Sequence, residues 1–315
     1  MIDNKSYLKQ SELLIDVLPF LYKENDFALK GGTAINFFIR NMPRLSIDID
    51  IVYLSINERV KALNEISDML ERLSFSLKKS NPLFKTELKK NNSLNLKLFV
   101  VSENVIVKIE PNTTLRGSVF PSQHLSLCEK AKNKFKKDVI VYSLSTPDIY
   151  GGKICAALDR QHPRDLFDIK LLMENESITE SIRKAFIVYL LSHPRPVLEM
   201  LNPNFHDIKA VFDKEFVGMT DEDISCEELI KTRENLLAVI QKNVTDKEKE
   251  FLISFKSGYP RWDLFEPYEE YDPVFNIDRI ISLPSIKWKL LNIQKMDKRK
   301  HQTALNDLEK FLNGI

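Results

Sequence analysis

The chain has 315 residues, of which 43% are hydrophobic and 29% are charged, and its formal net charge is +1. This length and apolar content predict one or two domains with real hydrophobic cores. The small net charge excludes a strong overall field for polyanions, and three widely spaced cysteines argue against a disulfide framework or a paired-cysteine metal site.

Hydrophobic periodicity and turn residues predict mixed helices and strands in the first half of the chain. Asn57 is the expected N-cap of the long amphipathic helix, and the break at residues 102–104 suits a hairpin. In chain order the patterns predict a helix at 6–22, a strand at 27–30, a helix at 33–39, a strand at 46–53, a helix at 57–73 and strands at 83–90, 92–101, 104–111 and 139–144.

From residue 146 onward the patterns are almost wholly helical. The predicted helices cover residues 146–158, 162–173, 179–192, 227–242, 246–255 and 301–313, and the stretch GYPRWDLFEPYEEYDP at 258–273 reads as an ordered loop. We therefore predict an α/β (α+β) fold. A mixed β-sheet flanked by helices occupies residues 1–175, and a mainly helical C-terminal domain occupies residues 176–315.

The sequence predicts a cytoplasmic protein without a membrane segment. Charged residues interrupt the apolar positions near the N-terminus, so no signal-peptide core is present. The longest apolar run, AFIVYLL at 185–191, is too short to span a bilayer.

The strongest chemical signal is the strand sequence RLSIDIDIVY at 44–53. Asp48 and Asp50 point to one face of this strand, because side chains alternate. Two adjacent carboxylates repel each other and lose hydration unless a cation lies between them. An exposed strand face is the alternative explanation. Glu110, on a later strand whose Lys108 shares its face, is a candidate third carboxylate.

The preceding segment KGGTAINFF at 30–38 adds a site for phosphate. Gly31 and Gly32 end a strand immediately before a helix, so their backbone N–H groups can approach a ligand closely. Carboxylates beside a phosphate site need a divalent cation, and Asp48 and Asp50 supply the hard oxygen ligands that Mg²⁺ prefers. Mn²⁺ is an alternative metal.

The order of these motifs resembles a known family. Gly-Gly, a short helix and Asp-x-Asp are similar to the signature of the DNA polymerase β-like nucleotidyltransferase superfamily. The finer resemblance is to AbiEii-type (MenT-like) nucleotidyltransferase toxins. Four segments carry it: KGGTAINFF at 30–38, RLSIDIDIVY at 44–53, DIYGGKICAALDR at 148–160 and HPRDLFDIKLL at 162–172.

The resemblance implies a nucleotidyltransferase core with assigned residues. Gly31, Gly32, Thr33 and Ser46 would bind the triphosphate of an NTP, and Asp48 and Asp50 would hold the metal, with Glu110 as a further candidate ligand. Lys153 would face the nucleotide phosphates, and Asp165 matches the acidic residue implicated in catalysis. Asp168, one helical turn further on, is the alternative for that role.

The resemblance also implies a function. We expect Mg²⁺-dependent transfer of NMP from an NTP to an acceptor hydroxyl, with RNA, and in particular a tRNA 3′ end, as acceptor and a cognate antitoxin as partner. Basic stretches at 130–137 and 287–301 are candidate contacts for RNA phosphates.

Two alternative functions stay open. In one, the acceptor is a small-molecule or protein hydroxyl, with EPYEEYDP at 266–273 as a cation-attracting loop. In the other, the chain is an inactive nucleotide-binding or protein-interaction module.

Overall fold

The computed structural model describes residues 4–91, 93–266 and 275–315. The chain divides into two compact units. Unit 1 comprises Met1–Ile149 and Lys209–Ile224, and unit 2 comprises Tyr150–Ile208 and Ser225–Ile315. The sequence predicts two domains, 1–175 and 176–315, each able to fold on its own. The division into compact units does not test independent folding, so these boundaries stay a prediction.

Unit 1 is built on a seven-stranded mixed sheet with the strand order β3-β4-β5-β2-β1-β7-β6. Strand β2 pairs in parallel with β5, and β1 with β7, while the other neighbours are antiparallel. The strands are β1 Phe27–Lys30, β2 Asp48–Tyr53, β3 Lys85–Asn91, β4 Leu94–Ser102, β5 Val105–Asn112, β6 Gln123–Ser126 and β7 Ile140–Ser143.

Alternating side chains divide the central strands into an apolar and a polar face. Ile49 and Ile51 of β2 are fully buried, and so are Val107 and Ile109 of β5, whereas the residues between them are only half-buried. Burial of these branched side chains supplies the hydrophobic stabilisation of the sheet. The helices of unit 1 are α1 Asn4–Leu21, α2 Gly31–Ala34 with a π-helical continuation Ile35–Ile39, α3 Arg59–Ser80, α4 Glu129–Phe135 and α9 Lys209–Glu215.

The described residues of unit 2 form helices joined by loops, with no strand among them. Helix α5, Thr146–Asp159, begins in unit 1 and ends in unit 2. The remaining helices are α6 Pro163–Asn175, α7 Glu180–Ser192, α8 Val197–Leu201, α10 Cys226–Asn243, α11 Asp246–Ser257, α12 Ile277–Ser282, α13 Pro284–Gln294 and α14 Lys298–Leu312, with a 3₁₀ turn at Trp262–Phe265. Capping boxes start α10 and α11, where Ser225 and Thr245 each pair with a glutamate three residues later.

The predicted α/β architecture is confirmed, with differences in detail. Asn57 is not a helix cap: α3 begins two residues later, and the Asn57 side-chain amide donates to the Tyr53 hydroxyl at 2.9 Å. Strand β6 was not predicted, because four residues of weak strand propensity form a short edge partner of β7. The hairpin is confirmed by antiparallel pairing of β4 and β5 around Glu103 and Asn104, both with positive φ.

The loop predicted at 258–273 lies partly outside the described residues, which resume at Phe275 after Glu266. Among the residues that the structure does describe, no helix combines the length and the apolar character that a membrane crossing needs.

Adjacent glycines in α5 give a matched test of helix packing in unit 2. A Cβ at Gly151 would lie 2.7 Å from the Phe186 backbone nitrogen, whereas a Cβ at Gly152 would meet nothing within 4 Å. We expect Gly151→Ala to lower the free energy of unfolding by about 1–3 kcal/mol through overpacking. Gly152→Ala should leave it unchanged or raise it by about 0.5–1 kcal/mol, because alanine favours the helix. Urea denaturation measures both, and equal effects of the two variants would contradict the close packing.

Candidate active site

The turn after β1 brings backbone against the strand that carries the aspartates. Gly31 has φ +72°, and a Cβ there would lie 2.8 Å from Asp50 Oδ2. A Cβ at Gly32 would lie 2.7 Å from Arg44 Nη2 and 3.5 Å from Ser46 Oγ. Side chains at either position would therefore fill the space beside Asp50 and Arg44. This close approach of bare backbone is the geometry expected for a phosphate-binding turn.

The two carboxylates of β2 have the predicted arrangement. Asp48 and Asp50 occupy the half-buried face, and the intervening Ile49 is fully buried on the other. In the parallel register with β5, Asp48 lies opposite Lys108 and Asp50 opposite Glu110. Two carboxylates on one strand face, beside exposed glycine backbone, fit the hard oxygen donors that a divalent cation of the magnesium type prefers.

A pair of hydroxyls attaches β2 to the helical segment that follows β1. Thr33 Oγ1 donates to the Asp48 carbonyl at 2.6 Å, so the 2.8 Å bond between Thr33 Oγ1 and Ser46 Oγ is donated by Ser46. Both side chains are buried, and Ser11 Oγ donates to the Ser46 carbonyl at 2.9 Å. These hydroxyl hydrogens position the start of β2. The predicted contact of Thr33 and Ser46 with phosphate stays a prediction.

The carboxylate of Glu110 forms ion pairs with two lysines. Lys97 Nζ lies 2.6 Å from Glu110 Oε1, and Lys108 Nζ lies 2.6 Å from Oε2 and 3.9 Å from Asp48 Oδ1. Burial alone would raise the pKa of Glu110, but hydrogen bonds from both lysines outweigh it and leave that pKa below its ordinary value. Burial would lower the pKa of Lys108, yet the Glu110 hydrogen bond and the Asp48 charge leave it raised.

No group of three or more His, Cys, Asp or Glu side chains is arranged to hold a metal within residues 4–91, 93–266 and 275–315. Asp48 and Asp50 therefore form a two-carboxylate set. A metal-ligand role for Glu110 stays a prediction, and its lysine partners disfavour that role.

In unit 2 the structure brings together the three remaining predicted residues. Lys153 Nζ on α5 lies 2.9 Å from Asp165 Oδ1 and 2.9 Å from Asp168 Oδ2 on α6. All three side chains are buried, with at most 6% of each exposed. Pro163 at the first helical position and His162 at the N-cap start α6 so that both aspartates face Lys153.

Arg160 also pairs with this cluster, although its side chain is 60% exposed, and it was not predicted from the sequence. Its guanidinium donates to Asp165 through Nε at 2.5 Å and Nη2 at 3.0 Å. Burial would raise the pKa of Asp165, but the charges of Lys153 and Arg160 outweigh it and hold that pKa well below its ordinary value. A carboxylate held ionised by two cations is a weak proton acceptor. The geometry therefore favours Asp165 as a residue that positions Lys153.

Two further buried charged residues are structurally engaged in unit 1. Asp148 accepts hydrogen bonds from the backbone of Val119 and Phe120 and from Ser145 Oγ, at 2.7–2.9 Å, so it anchors the start of α5. Arg44 is 3% exposed and places its guanidinium at Gly32. No local pattern singles out Arg44, because only the fold brings it to the glycine turn.

The two basic stretches differ in how their charges are paired. In the stretch at 130–137, two of the five lysines are paired with described carboxylates, Lys132 with Glu129 and Asp138 and Lys137 with Glu12 and Asp16, while the exposed lysines are separated along the chain. In the stretch at 287–301, the side chains of Lys298, Arg299 and Lys300 are exposed on the first turn of α14 and have no carboxylate within 4.0 Å among the described residues. Cations at a helix N-terminus oppose the helix dipole. The α14 stretch is therefore better suited to contact phosphates.

Comparison with known proteins gives a family and a fold. A family model described as "Nucleotidyl transferase AbiEii toxin, Type IV TA system" matches residues 12–271. Among solved structures, the fold is similar to that of MenT4, a nucleotidyltransferase toxin from Mycobacterium tuberculosis H37Rv. The TM-score is 0.59 at 12% identity, over 91% of this chain and 93% of that one. A search of curated proteins gave no significant match.

The buried charge cluster predicts a specific stability change. Asp165→Asn removes one of the two carboxylates that hold the buried Lys153, so we expect the free energy of unfolding to fall by about 3 kcal/mol at pH 7. The folded pKa of Asp165 lies below its ordinary 3.8. Its stabilisation is therefore fully present above that value and is lost as the pH falls through the folded pKa.

Urea denaturation of wild type and Asp165→Asn between pH 2 and pH 7 measures this difference. We expect the two curves to converge at the acid end. As a control on the same helix, Glu174→Gln removes only a surface pair with Lys170 and should change stability by less than about 0.5 kcal/mol. A difference between wild type and Asp165→Asn that stays constant down to pH 2 would contradict the assignment.

Proposed function

Because the chain belongs to the AbiEii family of nucleotidyl transferase toxins of type IV toxin–antitoxin systems, it is a nucleotidyltransferase, and we propose that it transfers NMP to an RNA hydroxyl. The proposed reaction depends on Mg²⁺, or on Mn²⁺ in its place, and takes place in the cytoplasm. The proposed acceptor is a tRNA 3′ end. The observation that carries the proposal is the close approach of Gly31 to Asp50, one of the two carboxylates on the same face of β2.

The residues of unit 1 would bind the nucleotide. Backbone N–H groups of Gly31, Gly32 and Thr33 would face the triphosphate, because a side chain at either glycine would close this approach. Asp48 and Asp50 would hold the divalent cation, which when bound offsets phosphate charge and orients the α-phosphate. The Thr33 hydroxyl, through its bond to the Asp48 carbonyl, holds the strand that carries both ligands in place.

The residues of unit 2 would supply a fixed positive charge. Lys153 would neutralise charge that develops on the phosphates during transfer. Asp165 and Asp168 each hold its ammonium at 2.9 Å, which fixes the lysine rotamer before substrate arrives. Pre-positioned charge costs little reorganisation during the reaction. We therefore propose that Asp165 and Asp168 act by positioning Lys153.

The proposed acceptor is supported by the exposed cations of α14. A toxin of a type IV toxin–antitoxin family also implies a cognate antitoxin as partner and an NTP as substrate. The two alternative functions left open by the sequence are distinguished by the transfer assay described below. Mg²⁺-dependent NTP binding without label in RNA would indicate a small-molecule or protein hydroxyl as acceptor. Failure to bind any NTP would indicate an inactive module.

The first test removes one carboxylate of the proposed metal site. We expect Asp48→Asn to lower transfer at least about 100-fold, because the single remaining carboxylate, that of Asp50, cannot hold the cation that offsets phosphate charge. Stability should be kept, since relief of carboxylate repulsion offsets the lost charge. The assay incubates the protein with total RNA, Mg²⁺ and each α-labelled NTP in turn, and resolves RNA by size.

The matched control is Asp138→Asn, which changes an exposed aspartate of unit 1 that pairs with Lys132. It should retain transfer. Full activity in a folded Asp48→Asn protein would remove the assignment of β2 as the metal-binding strand.

The second test concerns RNA binding. Reversing Lys298, Arg299 and Lys300 to glutamate should weaken RNA binding and reduce the slope of log K against log salt by about 2, for three lost phosphate contacts to single-stranded RNA. The helix should persist, because acidic residues favour its N-terminus. A control with the same charge change reverses Lys231, Lys242 and Lys247, exposed on α10 and α11. Equal effects of the two triple variants would show that only net charge matters.

A further inference from the structure

Strand β5 places a lysine beside the carboxylate pair. Lys108 lies opposite Asp48 in the parallel register of β2 and β5, with its Nζ 3.9 Å from Asp48 Oδ1. The same Nζ lies 2.6 Å from Glu110 Oε2, which fixes the ammonium on the face that carries Asp48 and Asp50. Its side chain is 31% exposed, so the ammonium is accessible to a substrate on that face.

The carboxylates available on this face suit one metal ion. In a two-metal site the two ions lie about 3.5–4 Å apart, and together they stabilise the attacking and the leaving oxygen. Such a pair of ions needs bridging and terminal ligands beyond two carboxylates. Glu110, the carboxylate opposite Asp50 on β5, already has one oxygen on Lys97 and the other on Lys108, each at 2.6 Å. A second cation between Glu110 and Asp48 would have to displace Lys108, whose Nζ lies 2.6 Å from Glu110 Oε2 and 3.9 Å from Asp48 Oδ1.

The strand order separates the phosphate side from the lysine side. Strand β2 lies between β1 and β5 in the sheet. The glycine turn follows β1, and Gly31 approaches Asp50 from that side. Lys108 belongs to β5 and approaches Asp48 from the opposite side. A triphosphate on the glycine turn would therefore leave the Lys108 side open for the acceptor.

We propose that the Lys108 ammonium takes the place of a second metal ion, so that nucleotidyl transfer in this protein uses a single divalent cation. This inference rests on the proposed function. The single metal, held by Asp48 and Asp50, belongs to the triphosphate side of the face, and Lys108 belongs to the acceptor side. Lys108 is thus a candidate for direct contact with the attacking oxygen.

The step is balanced without a second metal. The acceptor oxygen forms a bond to the α-phosphorus of the NTP, and the bond from that phosphorus to the bridging oxygen breaks. Pyrophosphate leaves with the electron pair, and the proton of the acceptor hydroxyl is released to solvent. Lys108 stays protonated throughout and stabilises the negative charge that develops on the attacking oxygen.

Counting bound Mn²⁺ tests the inference without turnover. The probe is Mn²⁺ with the α,β-methylene analogue of each of the four NTPs in turn, followed by electron paramagnetic resonance on the full chain. For wild type we expect one Mn²⁺ per chain at saturating analogue. For Lys108→Met we expect a second, weaker Mn²⁺, because Glu110 and Asp48 lose the ammonium that occupies the position.

The matched control is Lys97→Met, which also removes an ammonium from Glu110 but has no contact with Asp48. It should keep the count at one. In the transfer assay, Lys108→Met should lose at least about 100-fold in rate, and Lys108→Arg should restore most of it because the charge returns.

Two results would overturn the inference alone: two Mn²⁺ ions in the wild-type complex, or a Lys108→Met protein that matches Lys97→Met in both count and rate. Absence of any bound Mn²⁺–analogue complex in wild type is a different result. It would overturn the proposed function, and the inference with it.

Discussion

Two carboxylates side by side on one face of strand β2 constrain the rest of unit 1. Their mutual repulsion and lost hydration must be offset, and the opposite face of the strand is fully buried through Ile49 and Ile51, so the strand cannot turn them away. The neighbouring strands meet this constraint differently. Strand β1 is followed by two glycines, of which Gly31 leaves room beside Asp50, and β5 places Lys108 beside Asp48. The polar face thus carries the groups that the proposed cation and phosphate would contact.

Unit 2 also contains charged side chains whose lost hydration must be offset, and there the partners are other buried side chains. Lys153, Asp165 and Asp168 are almost completely buried, and burial of ions is favourable only when each is paired and hydrogen-bonded. Arg160 supplies the further donors that Asp165 needs. Such a cluster contributes little net stability compared with apolar packing. What it provides is a lysine with one fixed position, as the proposed role of Lys153 in electrostatic catalysis requires.

The sequence was sufficient for features that depend on local spacing. Alternation around Asp48 and Asp50, the glycine turn and the proline start of α6 all follow from short-range rules. Arg44, Arg160 and Lys97, the cross-strand partner of Glu110, were beyond its reach, because each acts through strand register or helix packing that no local pattern encodes. The expected cap at Asn57 was wrong for the same reason: Tyr53 and Arg116 hold its side chain and carbonyl.

The central claim is that the metal and the triphosphate bind on the β2 face of unit 1. The most direct measurement is a crystal structure of the protein with Mn²⁺ and a non-hydrolysable NTP analogue, with anomalous scattering used to locate the metal. The account predicts an anomalous peak between the carboxylates of Asp48 and Asp50 and phosphate density on the backbone of Gly31 and Gly32. A metal–nucleotide complex bound elsewhere, with both aspartates free of it, would contradict the account.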